Sequence, residues 1–126
     1  MSTLLIKNAK FVLPDAVTET ISLLVENGVI VSIGETVKNA DKVFDANGNY
    51  ILPGFADIHG GGGADFMDAT PEAFETAVKT HLKHGTTTMI PTAMSASEND
   101  IADFIKAFKC FKKTSEYASV TPGVHL

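Results

Sequence analysis

Leu52-Pro53-Gly54-Phe55-Ala56-Asp57-Ile58-His59-Gly60-Gly61-Gly62-Gly63-Ala64-Asp65-Phe66-Met67-Asp68 is where the chain changes character. Phe55 to His59 is a short apolar run that reads as a strand, and it feeds directly into four consecutive glycines. Upstream, short strand signals follow one another with no helical period. Downstream, apolar residues recur at helical spacing. The switch at Pro53-Gly54 therefore divides the chain into residues 1–53 and 54–126.

Beyond the glycines, Thr70 suits an N-cap and Pro71 the first helical position. Phe74, Ala77, Val78 and Leu82 then fall on one helix face, and Gly85 stops that helix. Thr86 to Ile90 is a β-branched run and reads as a strand. Ser97 caps a second helix with Asp100 three residues on, and Ile101, Phe104, Ile105, Phe108 and Phe111 form its apolar stripe. Gly123 to Leu126 opens a further strand. The order β-α-β-α-β implies parallel βαβ units with right-handed crossovers. Such strands need cover on both faces, so the pattern reads as the start of something larger, with apolar surface left over. Phe104, Ile105, Phe108 and Phe111 are the side chains expected to be exposed or buried in a partner, and the isolated chain is expected to be poorly folded or self-associating.

Before the boundary, Ile21–Glu26 and Val29–Ile33 flank Asn27-Gly28, the pair that supplies both positive-φ residues of a type I′ hairpin turn. Asn47-Gly48 repeats the signal between Val43-Phe44-Asp45 and Tyr50-Ile51-Leu52. With Leu4 to Val12, residues 1–53 read as a small antiparallel β unit.

Composition bounds the partners. The 126 residues are 44% apolar and 20% charged, an ordinary globular balance. Net charge is -5 and all ten basic residues are lysines, which argues against a nucleic-acid partner. No apolar run approaches the ~18 residues of a membrane span, and the opening residues lack signal-peptide order. One cysteine, Cys110, forms no intrachain disulfide, so a reducing cytoplasm is the expected compartment.

The chemistry-bearing candidates centre on His59. A histidine at the C-terminal end of a parallel strand, followed by glycines, occupies the place where α/β barrels build their sites. Gly60, Gly61, Gly62 and Gly63 let a ligand approach the backbone closely, so they form a candidate substrate-side loop. His59 is either a ligand to a divalent metal or a strand-end histidine bonded to its neighbours. Asp57 and His59 alternate with Ile58 and so share a strand face. His81 and His84, three apart near a helix end, read as structural, as do Asp65 and Asp68 as loop or cap residues. Cys110 lies off the apolar stripe beside Lys109, Lys112 and Lys113 and reads as a bystander thiol. His125 stands near a strand terminus, and its sequence neighbours assign it no role.

Taken together, these stretches resemble the N-terminal third of N-acetylglucosamine-6-phosphate deacetylases, within the amidohydrolase superfamily. Glu26-Asn27-Gly28-Val29-Ile30-Val31-Ser32-Ile33-Gly34 and Asp45 through His59 resemble the superfamily's opening hairpin and its lead-in to the first barrel strand. His59-Gly60-Gly61-Gly62-Gly63-Ala64-Asp65-Phe66-Met67-Asp68, Gly85-Thr86-Thr87-Thr88 with Pro91-Thr92, and Gly123-Val124-His125-Leu126 resemble the deacetylases more narrowly. The resemblance implies the start of a (β/α)8 TIM barrel, preceded by a small antiparallel β-sandwich domain. It also implies hydrolysis of an N-acetyl amide, assisted by a divalent metal such as zinc or iron, giving glucosamine 6-phosphate and acetate.

Two departures qualify it. The superfamily's first strand carries two histidines one residue apart, and here His59 stands alone, as if two residues, a reach of ~7 Å, were missing. The family's metal-binding glutamate, later histidines and catalytic aspartate have no counterpart within residues 1–126. A closed barrel takes ~250 residues, against the 73 from 54 to 126. The chain is thus expected to be an incomplete barrel, with weak or no metal binding and no activity alone. The implied partners are a small-molecule amino-sugar phosphate, and either a homodimer mate, as in full-length members, or a complementary C-terminal fragment. Alternatives are another amidohydrolase, dihydropyrimidinase-like, or a non-catalytic fragment.

Overall fold

The structure, a computed structural model, describes residues 2–34 and 39–126. It divides into two compact units, Met1–Pro53 and Gly54–Leu126. Met1 and residues 35–38, which fall within the expected β unit, lie outside the described residues.

The first unit is built on β1 (Thr3–Phe11). Strand β2 (Ile21–Glu26) pairs antiparallel with β1, and β3 (Val29–Ile33) pairs antiparallel with β2. Asn27 and Gly28 turn the hairpin at φ 49° and 82°. The expected all-antiparallel unit is corrected beyond that point. Strands β4 (Lys42–Asp45) and β5 (Tyr50–Ile51) both pair with β1, and both run parallel to it. Asn47 and Gly48 do adopt positive φ, 50° and 78°, yet they make no hairpin.

The reason lies in β1. Asn8 sits at φ 56°, and the pairing with β2 slips between Ile6 and Ala9. The Asn8 carbonyl accepts from the Gly48 N–H at 2.7 Å, while Lys10 N–H donates to Asn49 O at 3.0 Å. The Asn-Gly pair therefore steps the chain along one edge of β1 rather than reversing it. An Asn-Gly dipeptide sets backbone sign, not strand partner. The partner is chosen by burial, because this path packs Ala46 and Ile51 with Ala9, Phe11 and Leu23.

Asp45 anchors the step. Its carboxylate accepts from the Asn47 N–H (2.9 Å) and from Asn8 Nδ2 (3.0 Å), and Lys7 Nζ lies at 3.3 Å. The Asn47 N–H above all, then Asn8 and Lys7, hold this carboxyl below its ordinary value of 3.8. A carboxyl held low in the folded state stabilises above its unfolded value, and that contribution is lost as pH falls through the lower folded value. The resistance of the wild type to urea is thus expected to weaken below about pH 4. Asp45→Asn should show a smaller drop over the same interval, and equal drops would refute the role of Asp45.

The second unit alternates strand and helix: β6 (Phe55–Gly60), α1 (Pro71–Leu82), β7 (Thr86–Pro91) and α2 (Glu98–Thr114). Strands β6 and β7 are parallel, with Phe55 opposite Thr86 and Gly60 opposite Pro91. Thr70 Oγ1 caps α1 through the Ala73 N–H, and Ser97 and Asp100 form a reciprocal capping box on α2. Gly123–Leu126, expected as a strand, makes a single parallel bridge among the described residues, Thr92 to His125. Lys112 Nζ donates to the carbonyls of Ala118 and Thr121 at 2.6 and 2.7 Å, tying down the turn that leads back to this segment.

The expectation that the α2 stripe is exposed is also corrected. Phe104 and Phe111 are fully buried, and Ile105 and Phe108 half-buried, against Phe74 of α1 and Phe66 of the preceding turn. Ring centroids lie 5.0 to 5.9 Å from Phe74. The two helices and the Phe66 turn cover one another's stripes. Apolar exposure falls instead on strand residues such as Ile58, 75% exposed, and Phe55, 59% exposed.

Candidate functional site

The candidate residues gather where β6 ends. Pairing between β6 and β7 slips between Asp57 and Gly60, and Asp57 Oδ1 accepts from the His59 N–H at 3.1 Å. A side chain bonded to the backbone two residues on competes with the ladder, which loosens the strand at His59. Asp57 is half-buried and His59 exposed. Gly60 is buried, and its carbonyl accepts from the Thr92 N–H at 3.2 Å. A Cβ there would lie 2.7 Å from the fully buried Met89 side chain, so close packing excludes a larger residue.

The four glycines form an anchored loop. The Gly61 carbonyl meets His81 Nε2 at 3.0 Å. Gly63, at φ 83°, lies so near α1 that a Cβ would be 3.1 Å from Thr80 Cβ and 3.2 Å from Ala77 Cα. Asp65 Oδ1 accepts from the Met67 N–H at 2.9 Å, and Phe66, 3% exposed, drives into the core. The loop frames a cavity of about 470 Å³, lined by Gly61 through Asp65 and by Phe66, Thr92 and Met94. That is within the ~300–1,000 Å³ of small-molecule sites.

His125 is brought to His59. β6 and the His125 segment flank β7 on its two sides, since Gly60 faces Pro91 and His125 bridges Thr92. The His125 N–H donates to Pro91 O, and its carbonyl accepts from the Ala93 N–H, both at 2.9 Å. The two imidazole centroids stand 5.2 Å apart at 59°. Spacing in the sequence gives no hint of this pair; it arises because β6 and the His125 segment both pair parallel with β7.

His81 and His84 do not converge. His84 Nδ1 lies 2.8 Å from Thr80 O, just past the end of α1, and His81 reaches the glycine loop. Asp65 serves as a cap, and Cys110 is exposed with a free thiol. Among the described residues no three His, Cys, Asp or Glu side chains cluster in a way that would hold a metal. His59 and His125 supply two imidazoles, short of the three or four protein ligands of a zinc centre, so these residues do not by themselves fit the metal. Zinc titration by calorimetry is therefore expected to show only weak binding, with Kd well above ~1 µM. A stoichiometric site tighter than that, lost in His59→Ala, would overturn this expectation.

No helix among the described residues is long and apolar enough to cross a membrane. No family model matches the chain. The chain is 47% identical over 57 residues to a dihydroorotase of Enterococcus faecalis, covering 44% of this chain and 13% of that enzyme. It is 30% identical over 99 residues to an N-acetylglucosamine-6-phosphate deacetylase of Lysinibacillus sphaericus, covering 75% of this chain and 25% of the relative. In fold it is similar to the crystal structure of the N-acetylglucosamine-6-phosphate deacetylase of Pasteurella multocida, with a TM-score of 0.78 and 25% identity over 90% of this chain and 31% of that one. The chain thus spans a quarter or less of these curated relatives. It resembles N-acetylglucosamine-6-phosphate deacetylases in both sequence and fold.

Proposed function

We propose that this chain carries the first strand-end elements of an amidohydrolase-type amide hydrolase acting on N-acetylglucosamine 6-phosphate, with acetate and glucosamine 6-phosphate as products. The observation that carries the reading is the joint likeness to deacetylases in sequence and in fold. On this reading β6, α1, β7 and α2 are the first two βα units of a (β/α)8 barrel, and Met1–Pro53 belongs to a small β-sandwich domain. A cytoplasmic setting and a homodimeric or complementing C-terminal partner belong to the same proposal. A divalent metal whose ligand set is completed from another segment would supply polarisation of the amide carbonyl and activation of water. His59 and His125 offer two imidazoles, and the remaining donors and the proton-transferring carboxylate come from elsewhere. The cleft residues of this chain bind and orient. The chain has no arginine, and the cleft lining includes no lysine, so the donors that a phosphate or acetyl oxygen can meet on this side are backbone N–H groups and the Thr92 hydroxyl.

A second reading is a cyclic-amide hydrolase, favoured by the 47% identity over 57 residues to a dihydroorotase. One experiment separates the two. The chain is assayed alone, and mixed with the C-terminal portion of a homologous deacetylase, for acetate release from N-acetylglucosamine 6-phosphate and for ring opening of dihydroorotate. With no three-donor cluster among the described residues, no turnover is expected alone. Acetate release on mixing supports the deacetylase. Ring opening without acetate release replaces it with the second reading, and turnover by the chain alone would overturn the assignment of the missing donors to another segment.

A further inference from the structure

We propose that His81 is a positioning residue: it fixes the Gly61–Gly62 peptide so that the Gly62 N–H faces the cleft as a donor to a ligand oxygen. The inference deepens the proposed function and rests on it for the identity of the ligand. Its starting point is the 3.0 Å contact between His81 Nε2 and the Gly61 carbonyl oxygen. A carbonyl only accepts, so Nε2 carries the proton and donates.

A trans peptide places its C=O and the following N–H on opposite sides, and no cis bond occurs among the described residues. With the Gly61 carbonyl aimed at α1, the Gly62 N–H points away from α1. That N–H has no partner among the described residues, although Gly62 lines the cavity of about 470 Å³. Without the His81 bond, glycine at φ 88° has little to hold this peptide plane, because a Cβ at Gly61 or Gly62 would meet nothing within 4 Å. The neighbouring anchors, Gly60 O on the Thr92 N–H and Gly63 against Ala77, fix the ends of the loop but not this plane. The ligand chemistry is an acceptor oxygen, from either a phosphate or an amide carbonyl.

The test uses the whole ¹⁵N-labelled chain. In the wild type the neutral His81 ring is expected as the Nε2–H tautomer, and the Gly62 amide at a rigid order parameter of about 0.85. His81→Leu should drop that value below about 0.6, and His81→Gln, whose side-chain amide still donates, should restore it. The opposite tautomer in the wild type, or an unchanged order parameter in a folded His81→Leu chain, would overturn the positioning role. Inorganic phosphate, N-acetylglucosamine and dihydroorotate are then titrated separately. A downfield shift of the Gly62 amide proton with phosphate or the sugar supports the donor role and tells the oxygen's source. A shift with dihydroorotate alone supports the donor role while counting against the deacetylase reading. No shift with any of the three overturns the donor role.

Discussion

Phe74→Ala is expected to unfold the Gly54–Leu126 unit under conditions where the wild type is folded. The ring is fully buried and touches the rings of Phe66, Phe104, Phe108 and Phe111 at centroid distances up to 5.9 Å. Its ring joins α1 to both the α2 stripe and the Phe66 turn that closes the glycine loop. Truncating a buried phenylalanine costs about 3–5 kcal/mol, from lost transfer energy and the cavity left behind. Domains are stable by only about 5–15 kcal/mol in all, and small ones lie at the low end. Urea unfolding followed by near- and far-ultraviolet circular dichroism reads the loss. Amide spectra should collapse for residues 54–126 and stay dispersed for the β1–β3 meander. A loss under ~1 kcal/mol would mean that the ring does not fill a packed core.

Gly63→Ala is expected to cost about 2–3 kcal/mol, and Gly62→Ala only about 1–2. Both glycines have positive φ, 83° and 88°, where an L side chain is strained. They differ in surroundings. A Cβ on Gly62 meets open space, whereas one on Gly63 presses on Ala77 Cα, a backbone atom that cannot rotate aside. The difference between the two variants isolates the packing of the loop on α1. Chemical denaturation of both, with the Gly62 order parameter as a local probe, checks it. Equal losses would show that the loop does not rest on α1 and would weaken the case for a preformed cleft.

Much of this architecture is legible in local sequence. The Thr70-Pro71 start of α1, the Ser97–Asp100 box and the Asn27-Gly28 turn are each specified within a few residues, and each takes the form that its local chemistry dictates. The apolar spacing that marks Phe74 and Phe104 is likewise a property of one helix at a time. What that spacing leaves open is the partner. It is compatible with an exposed α2 stripe, and the structure covers that stripe from within by bringing Phe66 and α1 to it.

The candidate site divides in the same way. His59 and the glycine run mark the end of β6 by type and order alone. The approach of His125 to His59 and of His81 to Gly61 spans 66 and 20 residues of chain, and no local signal encodes either. Asn47-Gly48 makes the point within a single turn: its positive φ follows from residue type, but whether the chain reverses or steps along β1 is decided by which path buries Ala46 and Ile51. Capping, turn sign and periodicity depend on neighbours a few bonds away, so the order of residues alone dictates them. Strand partners, the pairing of the two imidazoles and the orientation of the Gly61–Gly62 peptide depend on surfaces that meet only after the chain has packed, so they belong to the folded molecule and not to any stretch of it.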